Sequence, residues 1–397
     1  MTANSHKQVR AHERARRTAF AGAFLMATVM VAAACSSGAG SSSSPTTVAP
    51  QSNSATTQTG SSQLAAIKAE VLKLENPATL TFPKPTQAFN PGTHKIAILW
   101  SGLSAAGTTQ NIAYMQTAIK ALGWPAPTIL DGKFSPATQA SLMKQVARGR
   151  YDGIIMDSIT PSDVTSGLQA LIAAHVPTVC EECGGNLPSG IIGDGFSSQT
   201  VGKAQADWAI ADSNGTGKVA VFDDAEFTVS HQQAVAAEQE LKSACPGCTV
   251  ITQGFTVAEA TSTTNPFFSA FLTAHPKGTI QYILLPYDAA AQSFTKIAQQ
   301  LGRTEIKFMS LGPLAPYYQS IVSGNPPGAV ATIATPSPYY YTAAVDLLAR
   351  DIAKAPTWDA TNMPVAIVTK QNASKFPGEI LNPPFNYLKM FESLWKS

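Results

Sequence analysis

The sequence predicts an α/β protein of two successive lobes, each a mostly parallel β-sheet covered by helices. Three observations predict it. In HKIAILWSGLSAAG, residues 94–107, an apolar run short enough for a buried strand passes through small turn-forming residues into a segment with Ile112, Met115, Ile119 and Leu122 at helical spacing. Strand and helix then keep alternating at intervals of roughly 30 residues, as repeated βαβ units do. Finally, the rhythm restarts after residue 190, and 397 residues with 44% apolar content suffice for two cores. A strand that feeds a helix and then another strand requires a right-handed crossover, which makes the sheets parallel. Ligands of such sheets sit at the carboxyl ends of the strands, so residues 101–107 are the first candidate contact loop.

In order, the first lobe is built as follows. After the opening unit, residues 128–131 (TILD) read as a short strand, and Ser135-Pro136 starts a helix over 136–148 that buries Leu142, Met143 and Val146. Residues 153–158 (GIIMDS) are a strand, and Thr160-Pro161-Ser162-Asp163 introduces a helix to His175. Residues 176–180 (VPTVC) form the next strand, ending at Glu181-Glu182.

The second lobe opens with 190–194 (GIIGD), a helix over 198–212, and the strand KVAVF at 218–222, whose end carries Asp223-Asp224-Ala225-Glu226-Phe227. A helix over 229–244, a strand at 249–251 and a helix over 266–274 follow. The strand YILL, 282–285, opens at Pro286-Tyr287-Asp288 into a helix over 289–301, and strands at 307–310 and 329–334 complete the pattern.

Ahead of this body lie three segments of different character. Residues 1–34 combine Lys7, Arg10, Arg14, Arg16 and Arg17 with an apolar stretch at 20–34 too short for a comfortable membrane span, which is the pattern of an export signal. The run Val31-Ala32-Ala33-Ala34-Cys35 resembles the lipobox of bacterial lipoproteins, which implies that Cys35 is lipidated and is the first mature residue. Residues 35–62, rich in Ser, Thr, Gly, Ala and Gln, bury too little to offset ordering and read as a flexible tether. In residues 63–93, Leu64, Ile67, Val71 and Leu74 suggest a leading helix before a Pro-rich approach.

Only 13% of residues are charged and the formal net charge is +2, so nothing argues for nucleic acid as a partner. Beyond Cys35, the cysteines form two local pairs, Cys180-Glu-Glu-Cys183 and Cys245-Pro-Gly-Cys248. Outside the cytoplasm two short disulfides are the expected state, the Pro-Gly turn drawing the second pair together. A four-thiolate zinc site, a thioredoxin-like redox pair and cross-pairing are the alternatives the sequence leaves open. No metal site or cofactor is expected.

Phrases spread over about 300 positions resemble the type I periplasmic binding proteins, in particular the ribose-binding-like branch that serves ATP-driven sugar importers. They are Tyr151-Asp152-Gly153-Ile154-Ile155, Val176-Pro177-Thr178-Val179, Ile192-Gly193-Asp194 before Gly202, Thr273-Ala274-His275-Pro276 before Ile280, and Met363-Pro364-Val365-Ala366-Ile367-Val368-Thr369-Lys370-Gln371-Asn372. The resemblance implies two Rossmann-like lobes, 94–194 with 336–363 and 195–335 with 364–397, joined by a three-crossing hinge. The ligand is clamped between them, and the closed form is presented to a permease.

Carried over by position, the first-loop contact falls on Ser104 with Trp100 behind it, and the strand-end amide on Ser158. The family's Asp-Arg pair falls on Glu182-Cys183, its second-lobe arginine on His231, its Asn-Asp pair on Tyr287-Asp288, its strand-end aspartate on Gly312 and its hinge glutamine on Thr335. Losing both arginines and one aspartate removes much of the charge-assisted bonding that fixes a sugar. Trp100, Phe227, Tyr287 and either Tyr317 or Tyr339 remain to stack on an apolar ring face. Asp288 reads equally as a cap of the helix after it, and the run Tyr339-Tyr340-Tyr341 as hinge packing.

The function this implies is not enzymatic. It is capture of a small, uncharged, sugar-like molecule by a monomeric substrate-binding lipoprotein of an ABC-type importer, lipid-anchored to the outer face of the cell membrane. A ligand-sensing receptor of the same fold for a non-sugar molecule is the alternative. A serine hydrolase is a remote one, since Gly102-Leu103-Ser104-Ala105-Ala106 approximates a nucleophile elbow but lies on the first strand and lacks the second glycine.

Overall fold

The computed structural model describes residues 54–262, 264–312 and 314–396. The export signal, Cys35 and residues 35–53 of the expected tether lie outside them.

Two sheets form. The first has the order β2-β1-β3-β4-β5 and all-parallel pairing. Its chain runs α1 (Ser54–Leu74), β1 (Ile96–Trp100), α2 (Thr108–Ala121), β2 (Thr128–Asp131), α3 (Pro136–Arg148), β3 (Gly153–Asp157), α4 (Thr165–Ala173), β4 (Thr178–Glu181) and β5 (Ile192–Asp194). The helix expected from Pro161 begins as a 3-10 turn, Pro161–Val164, before α4. β1 and β3 are buried on both faces, which is why they read as unbroken apolar runs. Helix starts follow local chemistry: Ser135 accepts from the Thr138 N–H with Pro136 at the first position, and Ser197 accepts from the Thr200 N–H.

The second sheet has the order β11-β10-β9-β8-β6-β7, parallel except for its edge strand β11. Its elements are α5 (Ser198–Asp212), β6 (Lys218–Asp223), α6 (Thr228–Ala244), β7 (Thr249–Gly254), α7 (Val257–Thr261), α8 (Pro266–Ala274), β8 (Tyr282–Leu284), α9 (Asp288–Gln300), β9 (Lys307–Leu311), α10 (Ala315–Ser323) and β10 (Ala329–Ala334). α11 (Ser337–Ile352), β11 (Ala366–Thr369) and α12 (Tyr387–Leu394) complete the chain. α11 returns to the first lobe and packs on α2, β3 and β4. It is buried along nearly its whole length, and its polar stripe of Thr342, Asp346 and Arg350 is enclosed as well.

Three backbone crossings join the lobes as the resemblance implied, at 194–197, 334–337 and 360–366. The first and third are tied together, since the Gly195 N–H donates to the Ala360 carbonyl and the Met363 N–H to Gly195. Two further crossings were not expected. α1, which precedes the first lobe in sequence, begins at Ser54 rather than near residue 63 and packs on the second: Ile67, Val71 and Leu74 share a core with Val201, Trp208 and Ile367. The chain then returns, placing Phe82 in the first lobe's core. At the other end, the expected second-lobe stretch 364–397 divides. β11 pairs with β10, but Phe391 and Trp395 pack in the first lobe and Trp395 bridges to Phe89.

Asp346 on α11 fastens these returning segments. Its buried carboxylate accepts from Arg350 Nε (2.7 Å), Trp358 Nε1 (2.8 Å) and Trp395 Nε1 (2.7 Å). Arg350 also donates to the Gln87 carbonyl and lies 4.4 Å from the centre of the Phe89 ring. Among the described residues no helix is long and apolar enough to cross a membrane.

Candidate functional site

The carboxyl ends of the two sheets face each other and touch. Thr160 Oγ1 accepts from the Thr228 N–H at 3.3 Å, Gln232 Oε1 from the Gly185 N–H at 3.4 Å, and the Phe134 and Phe227 rings meet edge to face at 6.2 Å. These are contacts of a closed cleft.

Just beneath that seam lies a group of acids. Asp157, Glu181 and Asp194 are the last residues of β3, β4 and β5 and stand beside one another in register. Neighbours in register on parallel strands project to one face, here the face covered by α11. Their exposures are 1%, 0% and 7%, and none of their six carboxyl oxygens has a hydrogen-bond partner of good geometry, although Glu181, Ser158 and Tyr341 lie close enough to Asp157 to act on it. Glu182, half-buried, follows at the top of the turn with φ 45°. Tyr340 and Tyr341 cover the group, with Trp100 at 6.0 Å from Tyr341 and Phe196 of the first crossing at 6.1 Å from Tyr340.

Burial raises all four acids. Asp157 is pushed up to about 6, with Glu181, Ser158 and Tyr341 offsetting part of the rise. Glu182 goes to about 8 by burial and the nearby Asp157 charge, with Tyr340 opposing. Glu181 and Asp194 are held well above the ordinary carboxyl range by burial, then by their acidic neighbours. The charges acting on these groups are one another's; no described cation offsets them.

The expected contacts distribute unevenly around this group. Trp100 and Glu182 belong to it. Ser158 lies one residue past β3 with φ 51°, leaving the strand-end position to Asp157. Ser104 is exposed in the first loop, where the Asp131 carboxylate organises the backbone by accepting from the Leu103 and Lys133 N–H groups. The remote hydrolase reading gains nothing from Ser104, since no described histidine or acid hydrogen-bonds it.

On the second lobe Phe227 is the half-buried ring that meets Phe134. His231 is exposed and pairs with Asp223 at 2.9 Å. Tyr287 donates to Asp224 at 2.7 Å, and Asp224 is raised to about 6 by burial, with that bond opposing. Asp288 neither caps α9 nor stands free. It is buried, and accepts from Thr332 Oγ1 at 2.9 Å, the Leu314 N–H at 3.1 Å and Ser310 Oγ. Thr335 is fully buried in the second crossing, its hydroxyl 3.0 Å from Ser337 Oγ.

Tyr317 and Tyr339, offered as stacking rings, are core residues. The Tyr317 hydroxyl donates to the Phe308 carbonyl, and Tyr339 packs among Phe82, Phe385 and Phe391. Cys180 is bonded to Cys183 and Cys245 to Cys248, and the first bridge closes the turn that carries Glu181 and Glu182. Among the described residues no group of three or more His, Cys, Asp or Glu side chains is arranged to hold a metal ion.

Asp157, Glu181 and Asp194 do not stand out in the sequence because each is an ordinary residue in its own strand. The available signal was their repetition, an acid closing three successive apolar strands. A separate groove of about 390 Å³, lined by Pro161, Ser162, Leu168, Ile172, Pro188 and Thr228, opens at the rim. Ser162, Thr165, Gln169, Asn186 and Thr228 give it neutral polar groups but no charge, whereas the acids leave buried oxygens unpaired, so the acids mark the better site.

The profile described as a periplasmic binding protein domain matches residues 96–355. No curated protein sequence matches the chain. Among solved structures, a sugar ABC transporter protein from Yersinia enterocolitica shares 23% identity at a TM-score of 0.65, covering 74% of this chain and 90% of its own. An ABC transporter solute-binding protein from Agrobacterium vitis with bound allitol shares 19%, with TM-score 0.65 and coverages of 72% and 99%. A 5-methylthioribose transporter solute-binding protein from Thermotoga lettingae shares 17%, with TM-score 0.64 and coverages of 75% and 98%. With the matched profile spanning well over half its length, the chain belongs to the periplasmic binding protein domain family.

Proposed function

We propose that this protein is the substrate-binding lipoprotein of an ABC-type importer and captures a small sugar-like molecule between its lobes. The observation that carries the reading is the set of buried, unpartnered carboxyl oxygens directly under the closed interlobe seam. An ionised carboxylate accepts and a protonated carboxyl also donates, and the hydroxyls of a polyhydroxylated ligand can partner both. Support comes also from the named contents of similar structures, which include sugars and polyols.

Binding needs no chemistry of the protein. A ligand touching both lobes favours the closed state over the open one and shifts the population accordingly. Cys35 anchors the chain to the membrane, the segment after it acts as a tether, and the closed form docks on a permease. The disulfides and the contacts at Trp100, Glu182 and Phe227 hold the pocket's shape.

The test is thermal unfolding of the full-length protein with sugars and polyols, allitol and 5-methylthioribose among them. A ligand that binds only the native state raises the melting temperature with concentration. Failure of every polyhydroxylated compound to do so, alongside a shift by another class, overturns the sugar-like reading. A Cys35→Ala variant found in the soluble fraction supports the anchor, and one still in the membrane fraction removes it.

A further inference from the structure

We propose that the ligand of this cleft carries a protonated amine on its polyhydroxylated frame, as amino sugars and amino polyols do. The inference rests on the cleft being the ligand site and departs from the uncharged ligand expected from the sequence.

Charge balance is the argument. Asp157, Glu181 and Asp194 are nine-tenths or more buried, all six oxygens lack partners, and Glu182 adds a fourth acid at the same turn. Elsewhere most buried charges meet a cation or several neutral donors, although Glu379 beside Asp288 keeps one oxygen unpaired. Asp346 meets Arg350 and two indole N–H groups, Asp207 meets Lys203 at 2.7 Å, and Asp288 has three donors. The acid group differs in extent: it holds six unpartnered oxygens, where Asp207, Asp223 and Glu379 each leave one. From β3 it is faced by Asp157, from β4 and its turn by Glu181 and Glu182, from β5 by Asp194, and from α11 by the neutral hydroxyls of Tyr340 and Tyr341. None of these elements supplies a positive charge. Uncompensated buried ions are costly, and a cation delivered by the ligand removes that cost where a neutral hydroxyl leaves it. An ammonium also brings three donors to those of the acids that are ionised, which only accept.

Proton linkage gives a second, independent signature. In the free protein burial keeps part of this group protonated near neutrality, Glu182 being raised to about 8 and Asp157 to about 6. A bound cation favours their ionised forms and displaces those protons. Affinity for an amine therefore rises with pH from about 5.5 to about 7, above which an amino sugar starts to lose its own proton.

The experiment compares matched pairs by calorimetry on the full-length protein: glucosamine with glucose, galactosamine with galactose, and 1-amino-1-deoxysorbitol with sorbitol. The expected result is at least tenfold tighter binding by one amine over its hydroxyl twin, with affinity rising over that pH range. Glu182→Gln, at a half-buried position that tolerates exchange, is expected to shrink the preference by severalfold and flatten the pH dependence.

Equal or tighter binding by the neutral twins overturns the amine while leaving sugar-like capture intact. A melting-temperature rise with calcium or magnesium alone, absent with every amine, overturns it in favour of an inorganic cation. Binding by no member of any pair, with the protein folded, overturns this inference together with the sugar-like reading.

Discussion

Glu379 fills the space that a side chain at Gly312 would occupy. A Cβ built on Gly312 overlaps the Glu379 carboxyl and comes within 2.6 Å of Asp288 Oδ2. The Leu314 N–H is shared between Asp288 and Glu379, at 3.1 and 3.0 Å. An acid therefore sits beside the position where the sequence comparison expected an aspartate, but it arrives from a segment 67 residues further on. It braces the end of β9 against the C-terminal chain. Gly312→Ala is expected to destabilise the protein by about 1–3 kcal/mol through overpacking, and combination with Glu379→Ala to recover part of that loss. Urea unfolding of the two single variants and the double variant measures the coupling; simple additivity would show that the two positions do not share the space.

Stability of the ligand-free protein should fall as pH rises from about 5 to 8. Acids whose folded values lie above their unfolded ones bind more protons in the native state, so their contribution is complete below the unfolded value and is lost through the folded one. For Asp157 that window runs from about 4 to about 6, and for Glu182 from about 4.5 to about 8. The Asp157 displacement alone corresponds to on the order of 2–3 kcal/mol. Asp157→Asn should flatten the lower part of the profile, and a melting temperature flat over this range in the parent protein would contradict the assignment.

Asp346→Ala should cost about 3–5 kcal/mol, because it strands the Arg350 guanidinium in the first lobe's core and leaves two indole N–H groups unpaired. Trp395→Phe, which removes one of those donors and keeps most of the packing, should cost about 1–2 kcal/mol. Chemical denaturation followed by tryptophan fluorescence would separate the two.

Phe134→Ala should weaken ligand binding without altering either lobe. The ring meets Phe227 only across the seam, and aromatic pairs of this kind contribute about 0.5–1.5 kcal/mol, so affinity should drop severalfold to about tenfold. Gly102→Ala should act in the same direction, since its Cβ would intrude on the Phe134 ring at 2.6 Å from Cδ2. Unchanged affinity in both variants would show that this contact does not hold the closed state.

The lobes were legible in the sequence because their information is local. β1 and β3 are apolar runs bounded by turn residues, Ser135-Pro136 and Ser197 are helix starts, and α5 and α8 fall where their spacing puts them. α11 buries its polar stripe of Thr342, Asp346 and Arg350 along with its apolar faces, so it does not read as a surface helix, and α12 and α7 are only 8 and 5 residues long. The site was less legible than the fold. Glu182 and Trp100 follow from position, but the acid group exists only once three strands lie in register. Likewise, Tyr317 and Tyr339 look identical to pocket aromatics until packing assigns them to cores.

The two extra returns of the chain bear on how long a captured molecule stays. With α1 strapped to the second lobe and α12 to the first, opening must stretch or detach backbone on more than the three segments of the hinge. Straps that held the lobes together in the empty protein would leave it partly preorganised. A larger share of it would already have the binding-competent shape, so less intrinsic affinity would be forfeited to reach that shape. The same straps delay reopening, which favours long residence of the ligand.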